Sequence, residues 1–140
     1  MPSKKHSSLS ASKAHRWILC PPSLKLEEQF PDKTSEYAEE GTEAHDLAEI
    51  KALYVLGKIS EEECTERFNA FKETSKYFNE EMNAATHAYA QLAAAIAASG
   101  EGFHYTDLEV RVDYSKYAKG GFGTADFICV GAGEIIIMDF

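Results

Sequence analysis

Long apolar runs, paired cysteines and basic charge are all scarce in this 140-residue chain. The longest nearly apolar stretches, 92–98 and 135–138, fall far short of the ~20 residues a spanning helix needs. Met1-Pro2-Ser3-Lys4-Lys5 leads into Ser-rich polar sequence and lacks the apolar core of a signal peptide. The three cysteines, Cys20, Cys64 and Cys129, form no CxxC pair and suit a reducing compartment. A cytoplasmic protein, neither secreted nor membrane-embedded, is therefore expected. No internal repeat is visible. With 44% hydrophobic residues, eight Phe and seven Tyr, the chain has the means to build a core.

Charge is distributed unevenly. Residues 1–25 carry Lys4, Lys5, Lys13, Arg16 and Lys25 and no acid, a balance of +5. The remaining residues hold all 23 acids against nine bases, a balance of −14. The first eight residues read as a disordered basic arm ahead of one domain over 9–140. Such an arm suits phosphate contact, or is simply a soluble N-terminal segment.

The periodicity predicts helices over 9–100 and strands over 103–140. Ser10 or Ser12 caps a short helix carrying Trp17, Ile18 and Leu19, stopped by Pro21-Pro22. A second short turn holds Leu24, Leu26 and Phe30 before Pro31. A long helix over 35–56 offers Ala44, Leu47, Ala48, Leu53, Tyr54 and Leu56 to one face, with Gly57 as its stop. Gly41 inside it calls for a reason, either a break or close packing. Ser60 and Glu63 form a capping box. Beyond them Met82, Ala85, Tyr89, Leu92 and Ile96 make a stripe ended by Gly100, on one helix or two over 61–98.

After Gly102 the period changes. Leu108, Val110 and Val112 alternate with polar residues as a half-buried strand. Phe122–Val130 and Glu134–Phe140 follow, joined through Gly131-Ala132-Gly133 as a hairpin. The fold class is thus α+β, N-terminal helices followed by a three-stranded antiparallel meander. Ile135-Ile136-Ile137-Met138 reads as a central strand buried on both faces, which implies that the rest of the core is missing and the reading frame truncated.

Two acids stand out by context. Asp126 directly precedes the apolar Phe127-Ile128-Cys129-Val130, and Asp139 directly follows Ile135-Ile136-Ile137-Met138. A carboxylate on an apolar strand is costly unless it is paired, hydrogen-bonded or bound to a metal. On paired strands the two are placed to share one divalent cation; otherwise each caps its strand and faces water. His45 and Glu49, four apart on the long helix, read by themselves as a surface pair. No second histidine completes a zinc-protease motif, and Gly121-Phe122-Gly123 precedes no helix, so a dinucleotide fingerprint is excluded.

Taken in order, several short pieces resemble the RecB-like branch of the PD-(D/E)XK nuclease superfamily, a restriction-endonuclease-like α/β core. The likeness is closest to a phage and prophage group of unknown function. The pieces are Leu9-Ser10-Ala11-Ser12, His15-Arg16-Trp17, Cys20-Pro21, Glu40-Gly41-Thr42 with His45, Glu109-x-Arg111-Val112-Asp113, Gly121 to Asp126, and Asp139-Phe140. They span residues 8–140.

The resemblance implies a Mg²⁺- or Mn²⁺-dependent hydrolase that cuts DNA phosphodiesters and works with phage recombination partners. His45, Asp126 and Asp139 match its metal-binding positions, Asp126 and Asp139 being the catalytic acids. Glu109 matches a position that is often acidic in this branch. Lys13, Arg16 and Trp17 would guide the strand. The family's lysine would follow Phe140, so the 140-residue chain is expected to be inactive by itself. Cys20 matches the first of four cysteines that hold a [4Fe–4S] cluster in several relatives, with the other three expected beyond residue 140. As given, the chain should bind no cluster, and Cys20 would be a buried thiol at a helix end. The rival expectation is a non-catalytic binding or regulatory protein whose acidic body mimics DNA.

Overall fold

The computed structural model describes residues 7–30, 35–99 and 102–140. Lys4 and Lys5 of the expected arm, the stop at Pro31 and the one at Gly100 lie outside the described residues. Five helices precede three strands: α1 (Ala14–Leu19), α2 (Ser23–Glu27), α3 (Glu36–Val55), α4 (Glu61–Thr74), α5 (Glu80–Ser99), β1 (Tyr105–Asp113), β2 (Phe122–Val130) and β3 (Ile135–Met138). The sheet order is β1-β2-β3 and antiparallel, so the expected α+β meander is what forms. None of the described helices is long and apolar enough to cross a membrane.

Two compact units share the chain. One comprises 1–33 with 111–125, the other 34–110 with 126–140.

In the first unit neither serine caps α1 with its side chain. A 3₁₀ turn, Ala11–Lys13, precedes the helix, and the Trp17 indole N–H donates to Ser10 O at 2.9 Å. The Tyr114 hydroxyl donates to Leu9 O at 2.8 Å, and the Ser7 hydroxyl to Gly120 O at 2.9 Å. A Cβ on Gly121 would sit 2.5 Å from the Tyr114 ring and 2.7 Å from Ala118 O, so only glycine fits there.

In the second unit α3 starts where the Ser35 hydroxyl accepts from Ala38 N–H and ends in a Schellman turn. Lys58 N–H reaches Leu53 O at 2.8 Å, and Gly57 sits at φ 68°. The helix runs unbroken through Gly41, and a Cβ there would meet nothing within 4 Å. Neither break nor packing accounts for this glycine, which costs about 1 kcal/mol relative to alanine.

The stretch 61–98 is two helices. Ser60 caps α4 by accepting from Glu63 N–H, while the Glu63 carboxylate takes Arg67 instead of closing the box. Between the helices Glu43 of α3 accepts from Lys76 N–H, Tyr77 N–H and the Ser75 hydroxyl. Asn79 then caps α5 by accepting from Met82 N–H at 2.8 Å.

The buried face of α5 is Met82, Thr86, Tyr89, Ala90 and Ala93, with Leu92 52% exposed, so the predicted stripe is rotated. Small side chains explain the rotation, because Ala90 and Ala93 pack in one cluster with Ala48 and Ala52 of α3 and draw the two helices together. The Lys51 ammonium fastens the pair, donating to Asn83 O, Asn83 Oδ1 and Thr86 Oγ1 at 2.6–2.8 Å.

Phe127 and Cys129 of β2 are fully buried and complete this core with Leu108 of β1. β3 pairs with β2 in the register Phe127↔Met138 to Val130↔Ile135. Among the described residues β3 stands last in the sheet order, with Ile135 and Ile137 65% and 60% exposed and Ile136 and Met138 packed against the core.

The alternation along β1 is also broken. His104 N–H bonds to Val130 O and Tyr114 N–H to Gly121 O, so ten steps along β1 face nine along β2. One residue is therefore extra, the signature of a β-bulge. Glu109, at φ 50°, is the positive-φ non-glycine residue of the described chain and takes that place.

Candidate metal centre

Four acidic or imidazole side chains of the second unit come together beside the middle of β1 and β2 and the C-terminal end of β3. α3 brings His45, the bulge in β1 brings Glu109, β2 brings Asp126 and the residue after β3 is Asp139. His45 Nδ1 lies 3.2 Å from Asp126 Oδ2. One ligand atom each from His45, Glu109 and Asp126 falls within 4.8 Å of the others. The Asp126 side chain is only 13% exposed, and its Oδ2 also accepts from Phe140 N–H at 3.0 Å. The register Phe127↔Met138, carried one residue further, sets Asp139 opposite Asp126, and the two carboxyl groups interact.

The electrostatics record the crowding. Asp139 is held above the ordinary carboxylate range by partial burial, then by its bond to Asp126 and that group's charge, with His45 opposing. Glu109 is raised by burial first and then by Asp126 and Glu49, with His45 again opposing. Two carboxylates in hydrogen-bonding contact need either a proton or a cation between them.

Glu49 is thus more than a surface partner of His45. One helical turn further along α3, it adds negative charge at Glu109, and burial and Asp46 raise its own pKa. Tyr89 of α5 also belongs here. Its ring meets Phe140 edge-on at 5.1 Å, and Phe140 meets His45 at 5.3 Å. The i, i+4 spacing of His45 and Glu49 was the available signal for Glu49. For Tyr89 the sequence offered only a place in a core stripe.

The other predicted residues lie elsewhere. Lys13, Arg16, Trp17 and Cys20 belong to the first unit. Lys13 and Arg16 both pair with Glu27, at 3.2 Å and 2.7 Å, and so are partly neutralised. Trp17 is half-buried. Cys20 is exposed at the end of α1, not the buried thiol expected; Cys64 is half-buried and Cys129 lies in the core.

A family described as Protein of unknown function (DUF2800) matches residues 6–140, and the chain belongs to it. No solved structure matches the chain.

Proposed function

We propose that the chain carries the metal-binding half of a divalent-metal-dependent DNA nuclease of phage or prophage type, acting in the cytoplasm. The convergence of His45, Glu109 and Asp126 from three separate elements carries this reading. Their order along the chain is that of the PD-(D/E)XK resemblance.

The donor set fits the ion. One imidazole among carboxylate oxygens suits Mg²⁺ or Mn²⁺ better than a soft metal. Ligands sharing an ion at about 2.1 Å lie no more than about 4.2 Å apart, so small side-chain shifts would close the present spacing. His45, Glu109, Asp126 and Asp139 would hold the ion, which in such sites lowers the pKa of water and stabilises charge on a phosphate. Asp126 is fixed by Phe140 N–H and by His45, so it offers a pre-set oxygen. Asp139 and Glu109 hold raised proton affinities that a cation would replace. The cluster places negative charge where a phosphate would otherwise be repelled, so strand binding in this site depends on the ion and weakens with salt. A [4Fe–4S] cluster stays an expectation tied to Cys20.

Titration calorimetry with Mn²⁺ tests the reading. One ion per chain is expected, abolished by Asp126→Ala. Absence of binding by a folded wild-type chain would favour the binding-protein alternative.

A further inference from the structure

The Tyr89 hydroxyl is buried and has no hydrogen-bond partner among the described residues. The residue is 8% exposed and packs in one cluster with Ala48, Ala52, Leu108, Phe127 and Cys129, of which only Cys129 has a polar side-chain atom, and its thiol pairs with Thr106 Oγ1 at 3.1 Å. A buried hydroxyl left unpaired costs about 1–3 kcal/mol. Its ring is wedged against Phe140, whose own N–H holds Asp126, so it cannot swing to solvent without opening the site.

The charged groups that act on Tyr89 are Asp126, Glu109 and Asp139, all from the acid cluster. Burial first, and then these three charges, push its ionisation well above the ordinary phenol range, so the group stays a neutral phenol. A neutral phenol oxygen accepts hydrogen bonds, and water bound to a divalent cation is a strong donor.

We propose that Tyr89 is a positioning residue for the cation site: its phenol oxygen accepts a hydrogen from a water in the shell of an ion held by His45, Glu109 and Asp126. This rests on the metal reading above and extends it to a residue outside the ligand set. Tyr89 sets where that water sits and makes no bond to the cation itself.

Tyr89→Phe keeps the ring and its packing and removes only the oxygen. Mn²⁺ affinity by calorimetry is expected to fall about tenfold, the scale of a lost outer-shell partner. The metal-free Tm should hold or rise slightly, since an unpaired hydroxyl is removed. Mg²⁺ should also produce a tyrosine difference absorption in the wild type that Tyr89→Phe lacks. Equal Mn²⁺ affinity with an unchanged difference band would overturn the role of Tyr89 and leave the metal site standing. A lowered metal-free Tm with unchanged affinity would overturn it too, by showing that the hydroxyl is satisfied within the core. A wild-type chain that binds no Mn²⁺ overturns both readings.

Discussion

Asp139→Asn should make the metal-free protein more stable while weakening its hold on metal. In the wild type, burial and the neighbouring Asp126 hold the Asp139 carboxyl above its ordinary range, so its charged form is less favourable in the folded chain than in the unfolded one. An asparagine amide carries no such charge. Two unit charges about 4 Å apart repel by about 1 kcal/mol in water and about 4 kcal/mol at a protein surface. Asp139 is exposed, so solvent screening places the gain at the low end, about 1 kcal/mol. For a domain of this size that is about 3–4 °C in Tm. Mn²⁺ at ten times its Kd should raise the wild-type Tm by about 1.4 kcal/mol worth of stability, and the variant by less. Thermal melts with chelator and with Mn²⁺ give all four values. A variant that melts lower than wild type without metal would refute the electrostatic argument, as would an equal Mn²⁺ increment in both.

The pH dependence has a definite sign. Glu109 and Asp139 keep protons at pH values where the unfolded chain has lost them, so metal-free stability falls as pH rises from the ordinary carboxylate range through their raised values. Melts across that range should slope downward and flatten in excess Mn²⁺. His45→Ala should cut Mn²⁺ affinity by at least about tenfold, measured by calorimetry. Gly121→Ala should cost about 1–3 kcal/mol, because its Cβ meets the Tyr114 ring and a backbone carbonyl; denaturant unfolding reads the loss. Asn79→Ala removes the cap of α5 and should cost about 1 kcal/mol in the same assay.

The local signals in the sequence translated well where one element decides its own fate. Ser35, Gly57 and Ser60 set helix ends where expected, and Gly131-Ala132-Gly133 turned the hairpin. What failed was set by partners remote in sequence. The division between α4 and α5 depends on the Glu43 carboxylate, more than thirty residues upstream of the backbone it holds. The turned face of α5 depends on alanines of α3, since small residues win when helices approach closely and a stripe of larger ones then faces out. At the site, His45, Asp126 and Asp139 were legible as residues in an ordered pattern. The meeting of Asp126 with Asp139 was legible too, from the pairing of their strands; the approach of His45 was not, because it depends on how α3 packs against the sheet. The place of Glu109 needed a bulge, and a strand pattern of period two contains no mark for an extra residue.

That extra residue separates two tasks that a regular strand would fuse. Deleting Glu109 would leave β1 and β2 with equal counts between their two flanking bonds, and hence a regular ladder. A strand pair under selection for stability alone would drift toward that simpler form, since it loses a strained backbone position and an unneeded charge. The bulge thus puts a strained backbone position at the very residue that β1 contributes to the cluster. Deleting Glu109 is therefore expected to leave the strand pair folded while the proposed cation site loses one carboxylate, so stability and Mn²⁺ affinity should part company in that variant.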